Sequence, residues 1–177
     1  GLWPATEYYN FIGGSGGSLK LALAGRTTRV EQDFADHGQA IEFVMSRLVA
    51  EGVLAGAADL DAVAFKAVVG GGAEPVSMVD DALLDRMEYF VPIAPVHNPP
   101  YIAAMRMFRQ VLPGTALVAA FDDGFHATNP PRRRMYACPP DWAEKFGVRR
   151  YGYHGASHRH VASRLGELMP HARRVIS

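Results

Sequence analysis

Cysteine is almost missing from this sequence: Cys138 stands alone among 177 residues. The chain can therefore form no internal disulfide and carries no cysteine-rich zinc site. Excess charge of either sign is missing too, because eighteen basic residues are matched by eighteen acidic ones. Without a net positive field there is nothing to draw the chain to nucleic acid or to an anionic membrane surface, and the one local basic run is Arg132-Arg133-Arg134. No apolar run approaches the roughly 18 residues that a spanning helix needs. The first residues also lack the basic segment and long apolar stretch of a secretory signal. A reducing, cytoplasmic setting is the expectation. An initiating methionine is absent as well: the chain begins Gly1-Leu2-Trp3 and stops at Arg174-Val175-Ile176-Ser177. That last stretch reads as a strand just entering the fold, so a fragment of a longer protein is expected.

What is present is ordinary globular material, 49% hydrophobic and 20% charged with a mean hydropathy of −0.03, and long enough for one well-buried domain. Tyr8-Tyr9-Asn10-Phe11-Ile12 has strand composition and Leu19 to Leu23 alternates weakly. Between them, Gly13-Gly14-Ser15-Gly16-Gly17-Ser18 has the composition of a flexible linker. Too few residues precede it to make a domain, so a tight functional hairpin is the better reading. Asp36 is placed to cap a helix through Glu51, with Ile41, Val44, Met45, Leu48 and Val49 on one face and Gly52 to end it. Leu60 to Val69 reads as a buried strand, and Asp80 or Asp81 opens a short helix through Met87. Pro92, Pro95, Pro99 and Pro100 break the chain around Val96-His97-Asn98. Tyr101 to Gln110 is helical, Thr115 to Phe121 is a second apolar strand, and Pro139 to Phe146 and His158 to Leu168 are helices. Strands first, then helices alternating with strands, indicate an α/β fold with a mixed sheet.

Several residues could carry chemistry. Asp122 follows an apolar strand, where α/β sheets collect ligands, and an acid there can orient a nucleophile or hold a metal ion. The plain alternative is a cap or turn residue, and Asp123 competes for either role. His154 and His158 have the four-residue spacing of two ligands on one helical face. A zinc site would need a third ligand, and a hydrogen bond from histidine to a phosphate in transfer is the better use. The glycine-serine loop resembles a phosphate cradle without being a Walker loop. Lys20, just after it, can meet a phosphate or simply be an exposed strand lysine. Lys66 lies inside the apolar run Val63 to Val69, a costly position unless the side chain is paired, faces a cleft or escapes along a sheet edge.

In order along the chain, these segments resemble the acetate kinase family. Arg149-Arg150-Tyr151-Gly152-Tyr153-His154-Gly155-Ala156-Ser157-His158 is similar to its R-R-Y-G-F-H-G-T-S-H signature. Ala94-Pro95-Val96-His97-Asn98-Pro99, Phe121-Asp122-Asp123-Gly124-Phe125-His126, Gly16-Gly17-Ser18-Leu19-Lys20 and Lys66-Ala67-Val68-Val69-Gly70-Gly71 match further family segments. The resemblance implies a ribonuclease-H-like fold of the actin and hexokinase type, with flanking helices. It covers the amino-terminal part only: residues 1–177 would be the carboxylate-binding side of the cleft, ending before the nucleotide-binding second domain.

By the same resemblance, Asp122 and His154 are catalytic, while Lys66, Val68, Val96, His97 and Tyr153 bind the carboxylate substrate. Lys20, Ser18 and Gly16 approach the nucleotide phosphates. Gly13 stands where the family has an asparagine near magnesium. The implied activity is reversible transfer of the γ-phosphoryl of ATP to acetate or a similar short carboxylate, with Mg2+ as cofactor and ATP or ADP as co-substrate. A homodimer is implied for the full-length protein, and little or no turnover for these residues alone. Lys66 for the family's arginine, Gly13 for asparagine and Val69 for histidine favour the alternative, a non-catalytic binding module derived from the kinase. A histidine-based metalloenzyme is a third reading.

Overall fold

The computed structural model describes residues 5–10, 12–23 and 26–176. The predicted strand residue Phe11, the opening Gly1-Leu2-Trp3 and the final Ser177 lie outside the described residues. Two compact units partition the chain: residues 1–61 with 106–115, and residues 62–105 with 116–177.

In the first unit, β1 (Ala5–Asn10), β2 (Ser18–Leu23) and β3 (Arg26–Glu31) form an antiparallel sheet in that order. Asn10 pairs with Ser18, so the glycine-serine segment is a hairpin loop and not a linker. Gly13 and Gly16 have φ of 84° and 79°, a region open to glycine and costly for side chains. β3 is solvent-facing apart from half-buried Val30, and its lack of an apolar face explains why sequence patterning misses it. Helix α1 (His37–Ala50) starts where expected: the Asp36 carboxylate accepts from Gln39 N–H at 2.9 Å. A cap of this kind is worth about 1 kcal/mol. Leu19, Phe34, Ala40 and Val44 make the core, with Phe43 edge-on to Phe34.

The second unit holds β4 (Ala62–Ala67), β5 (Val76–Met78), helix α2 (Asp81–Tyr89) and the start of α3 (Asn98–Val111), whose residues from Arg106 belong to the first unit. β6 (Ala116–Phe121) follows, then short helices α4 (Pro131–Arg134) and α5 (Asp141–Phe146), and finally α6 (Gly155–Leu168). The sheet order is β4-β6-β5, with β4 parallel and β5 antiparallel to β6. This is the expected mixed sheet. β6 lies between two partners and buries Leu117, Ala119 and Phe121.

Three expectations need correction. β4 is an edge strand of its sheet and its residues alternate between exposed and half-buried up to Ala67, so it is not the buried strand that its apolar composition suggests. Helix α3 begins at Asn98, before Tyr101, because Pro99 and Pro100 sit in the first turn, where a missing N–H costs nothing. Residues 172–176 form no strand and are exposed, since composition suits them to a sheet edge but no described strand pairs with them.

Candidate functional site

The parallel register sets Lys66 beside Ala120 and Ala67 beside Phe121, so the first residue beyond β6, Asp122, sits at the carboxyl end of the strand pair. There the chain turns into a 3-10 segment, Asp122–Thr128. Asp122 is 3% exposed, and Lys66 Nζ lies 2.5 Å from its Oδ2. The Lys66 side chain remains 58% exposed. An edge strand lets the lysine stem leave the sheet while its ammonium neutralises a buried carboxylate.

The other Asp122 oxygen faces the start of α6, where Ala156 N–H donates to Oδ1 at 3.4 Å. Close docking of this helix depends on Gly155: a Cβ there would overlap the Asp122 carbonyl oxygen and stand 2.7 Å from Phe125 Cβ. The N-terminal end of a helix is the positive end of its dipole, so the Asp122 carboxyl group lies between that end of α6 and the Lys66 ammonium.

Immediately before α6, His154 has φ 56° and ψ 26° and is the one non-glycine residue with positive φ among the described residues. Two contacts hold this turn. His126 Nε2 lies 2.9 Å from the Tyr153 carbonyl oxygen, which only accepts, so Nε2 carries the proton. Gly152, at φ 84°, is so close to the His126 ring that a Cβ would collide with it.

Lys66, Val68, Val96, His97, Asp122, Tyr153 and His154 line one cavity of about 410 Å3. All seven residues expected in this unit therefore meet in one place. Val68 is buried in the wall and Val96 is exposed at the rim. Ile93, Ala94, Pro95 and Tyr101 complete the lining, and no sequence pattern marks Ile93 or Tyr101 for a role there. Also passed over is Asn98, fully buried at the start of α3, whose Nδ2 donates to Met87 O at 2.9 Å and Val69 O at 3.4 Å. Its place between valine, histidine and two prolines was the available signal.

Asp123 parts from its neighbour. It lines a separate cavity of about 180 Å3 with Arg149 and His126. Burial raises its carboxyl above the ordinary value, while a hydrogen bond from the Gly70 backbone and the Arg149 guanidinium act the other way. His154 and His158 also part: His154 lines the 410 Å3 cavity, and His158 stacks on Phe125 beside His126. Their four-residue spacing does not place two imidazoles on one face.

The remaining candidates belong to the first unit. Lys20 is exposed on β2, Ser18 is buried, Gly16 is exposed in the hairpin loop, and Gly17 N–H donates to Asp33 Oδ1 at 2.8 Å. Gly13 offers no side chain, and its N–H donates to Phe34 O.

Among the described residues no group of three or more His, Cys, Asp or Glu side chains could hold a metal ion. Magnesium commonly rests on one or two carboxylates and otherwise on phosphate oxygens and water. Asp122 suits an ion that arrives with a phosphorylated ligand, and not one caged by protein.

Fold and site together define an α/β domain with a pocket at the carboxyl end of a parallel strand pair, lined by a lysine–aspartate pair and bounded by a helix N-terminus. The Acetokinase family model matches residues 10–176, and the chain belongs to that family. It is 37% identical over 162 residues to the acetate kinase of Clostridium novyi, covering 89% of this chain and 40% of that one. The crystal structure of Porphyromonas gingivalis acetate kinase superposes with a TM-score of 0.80 at 33% identity, over 94% of this chain and 43% of that one. A propionate kinase from Francisella tularensis shares the fold, with a TM-score of 0.84 at 24% identity over 94% of this chain and 43% of that one. The chain thus spans about 40% of the length of the curated relatives it matches. Among the described residues no helix is long and apolar enough to cross a membrane.

Proposed function

We propose that these residues form the acceptor side of a carboxylate kinase, which transfers the γ-phosphoryl of ATP reversibly to acetate or a similarly short carboxylate. The observation that carries this reading is the Lys66–Asp122 ion pair at a cavity walled by Val68, Val96 and Tyr153. A cation beside a small apolar pocket complements a short fatty acid, whose head is charged and whose tail is alkyl.

The acceptor carboxylate is already anionic and needs no strong base. Its oxygen attacks the γ-phosphorus, the bond to the bridging oxygen breaks, and ADP leaves with the electron pair. The protein's work is to bring two anions together and to offset the charge on the phosphoryl oxygens. Lys66 anchors the carboxylate, with Val68, Val96 and Tyr153 around its alkyl end. His154 donates a hydrogen bond toward the phosphoryl oxygens, and His97 lines the carboxylate site beside it. Asp122 would help hold a magnesium ion that arrives with ATP, and that ion would supply positive charge against the phosphates. Lys20, Ser18 and Gly16 contact the nucleotide phosphates. The setting is cytoplasmic and the complete enzyme a homodimer. These 177 residues alone give little turnover, because the relatives are more than twice as long.

A second reading, a non-catalytic carboxylate-binding module, draws on two features: the Lys66 ammonium is engaged by Asp122, and Gly13 supplies no side-chain oxygen. A chimera separates the two. This chain replaces the matching part of Clostridium novyi acetate kinase, and acyl phosphate is trapped as hydroxamate. Turnover that falls about a hundredfold or more in Asp122→Ala and His154→Ala supports the kinase reading. Propionate binding without turnover supports the module. Failure to bind propionate rejects both.

A further inference from the structure

A second cavity, of about 660 Å3, is walled by parts of segments 89–93 and 146–153 together with Tyr136. It shares Ile93 and Tyr153 with the acceptor cavity, yet Lys66, Asp122, His97 and His154 take no part in its lining. Its size falls within the roughly 300–1,000 Å3 typical of small-molecule sites.

Two properties of the walls identify a ligand class. Large apolar side chains are left in solvent around this concavity: Tyr89 is 66% exposed and Phe146 59%, with Tyr136 and Ile93 also exposed. Single exposed apolar residues are common on protein surfaces, but convergence of several on one hollow is not. Charge in the lining is of one sign, consisting of Arg149 and Arg150 with no acidic side chain. Arg150 lies over the Tyr136 ring at 5.1 Å and Arg149 over Tyr151 at 4.7 Å. A guanidinium stacked by its face still presents N–H donors at its edge. Arg149 is also drawn to Asp123, which leaves Arg150 as the principal anchor. Its backbone N–H donates to Arg134 O at 2.7 Å and fixes its origin.

We propose that this cavity is a second ligand site, separate from the acceptor pocket, for an aromatic carboxylate. The ring packs among Tyr89, Tyr136 and Phe146, and the carboxylate meets Arg150. Acetate and propionate carry a carboxylate but no ring to pack among these side chains. The inference does not depend on the phosphotransfer reading.

The test uses the 177-residue chain and 4-benzoylbenzoate, an aryl carboxylate that crosslinks on illumination, with labelled peptides mapped by mass spectrometry. Label should concentrate in residues 89–93 and 136–153 and persist in excess propionate. Arg150→Gln should reduce it at least fivefold, and Arg150→Lys should recover part of the loss. Label spread along the chain, displacement by propionate, or equal labelling of wild type and Arg150→Gln would each overturn the proposal. The wild-type map and the propionate competition decide the matter even if a variant folds poorly.

Discussion

Lys66 Nζ and Asp122 Oδ2 stand 2.5 Å apart because the parallel β4–β6 register brings the end of one strand alongside the end of the other. The pair is asymmetric: its carboxylate is buried and its ammonium is more than half exposed. Removing the lysine therefore leaves a buried charge supported by the Ala156 N–H, whereas removing the acid leaves a lysine that water can solvate.

Lys66→Met should accordingly destabilise the chain by about 1–2 kcal/mol, a figure kept low because the more than half-exposed lysine is screened by water. It should also abolish propionate binding. Lys66→Arg should preserve stability and tighten carboxylate binding severalfold, since a planar guanidinium grips a carboxylate with two hydrogen bonds. Urea unfolding and propionate titration by NMR check both. Unchanged propionate affinity in Lys66→Met would remove Lys66 from the acceptor site.

His154 sits in left-handed backbone, which costs a non-glycine residue of order 1 kcal/mol. His154→Gly should therefore be at least as stable as wild type, while the chimera that carries it loses turnover. Stability gained as activity is lost would indicate a conformation held for function. A large loss of stability would mean that the imidazole itself holds the fold.

Gly155→Ala should be the most disruptive small substitution near the site. The added methyl meets the Asp122 backbone, which cannot swing aside as a flexible side chain would. We expect a loss of about 2 kcal/mol or more, of the order seen for overpacking, with α6 shifted off the end of β6. Amide hydrogen exchange across 155–168 should rise. Unaltered protection there would contradict the close docking.

Asp123 should give stability a pH dependence. Burial raises its folded-state carboxyl above 3.8. The folded chain then holds this proton longer than the unfolded chain does. Its contribution is complete below 3.8 and is lost as pH climbs through the raised value. Asp123→Asn keeps an acceptor for the Gly70 N–H and cannot ionise. The stability of the variant relative to wild type should therefore increase with pH over that window and level off above it. Denaturant midpoints from pH 3 to 7 measure this, and a flat difference would contradict it.

What could be read from the chain itself was whatever depends on near neighbours. The Asp36 cap and its apolar face set α1, and the apolar run ending in Asp122 marked β6 and its terminus. The order of segments also carried the kinship, and with it seven of the residues that line the cavity beside Asp122. Other elements left weaker traces. β3 is almost entirely polar and exposed, and β5 is three residues long, so neither has an apolar period to detect.

Local chemistry thus determined element types and the kinds of groups available for catalysis. Tertiary structure decided which of them meet. Asp122 and Asp123 are adjacent, chemically identical and indistinguishable by pattern, yet one faces Lys66 and the other lies near Arg149. The need for glycine at 155 and the aromatic hollow beside Arg150 likewise arise only when distant segments pack. The physical reason is that burial and charge pairing are properties of the space around a side chain, and residues remote along the chain supply most of that space.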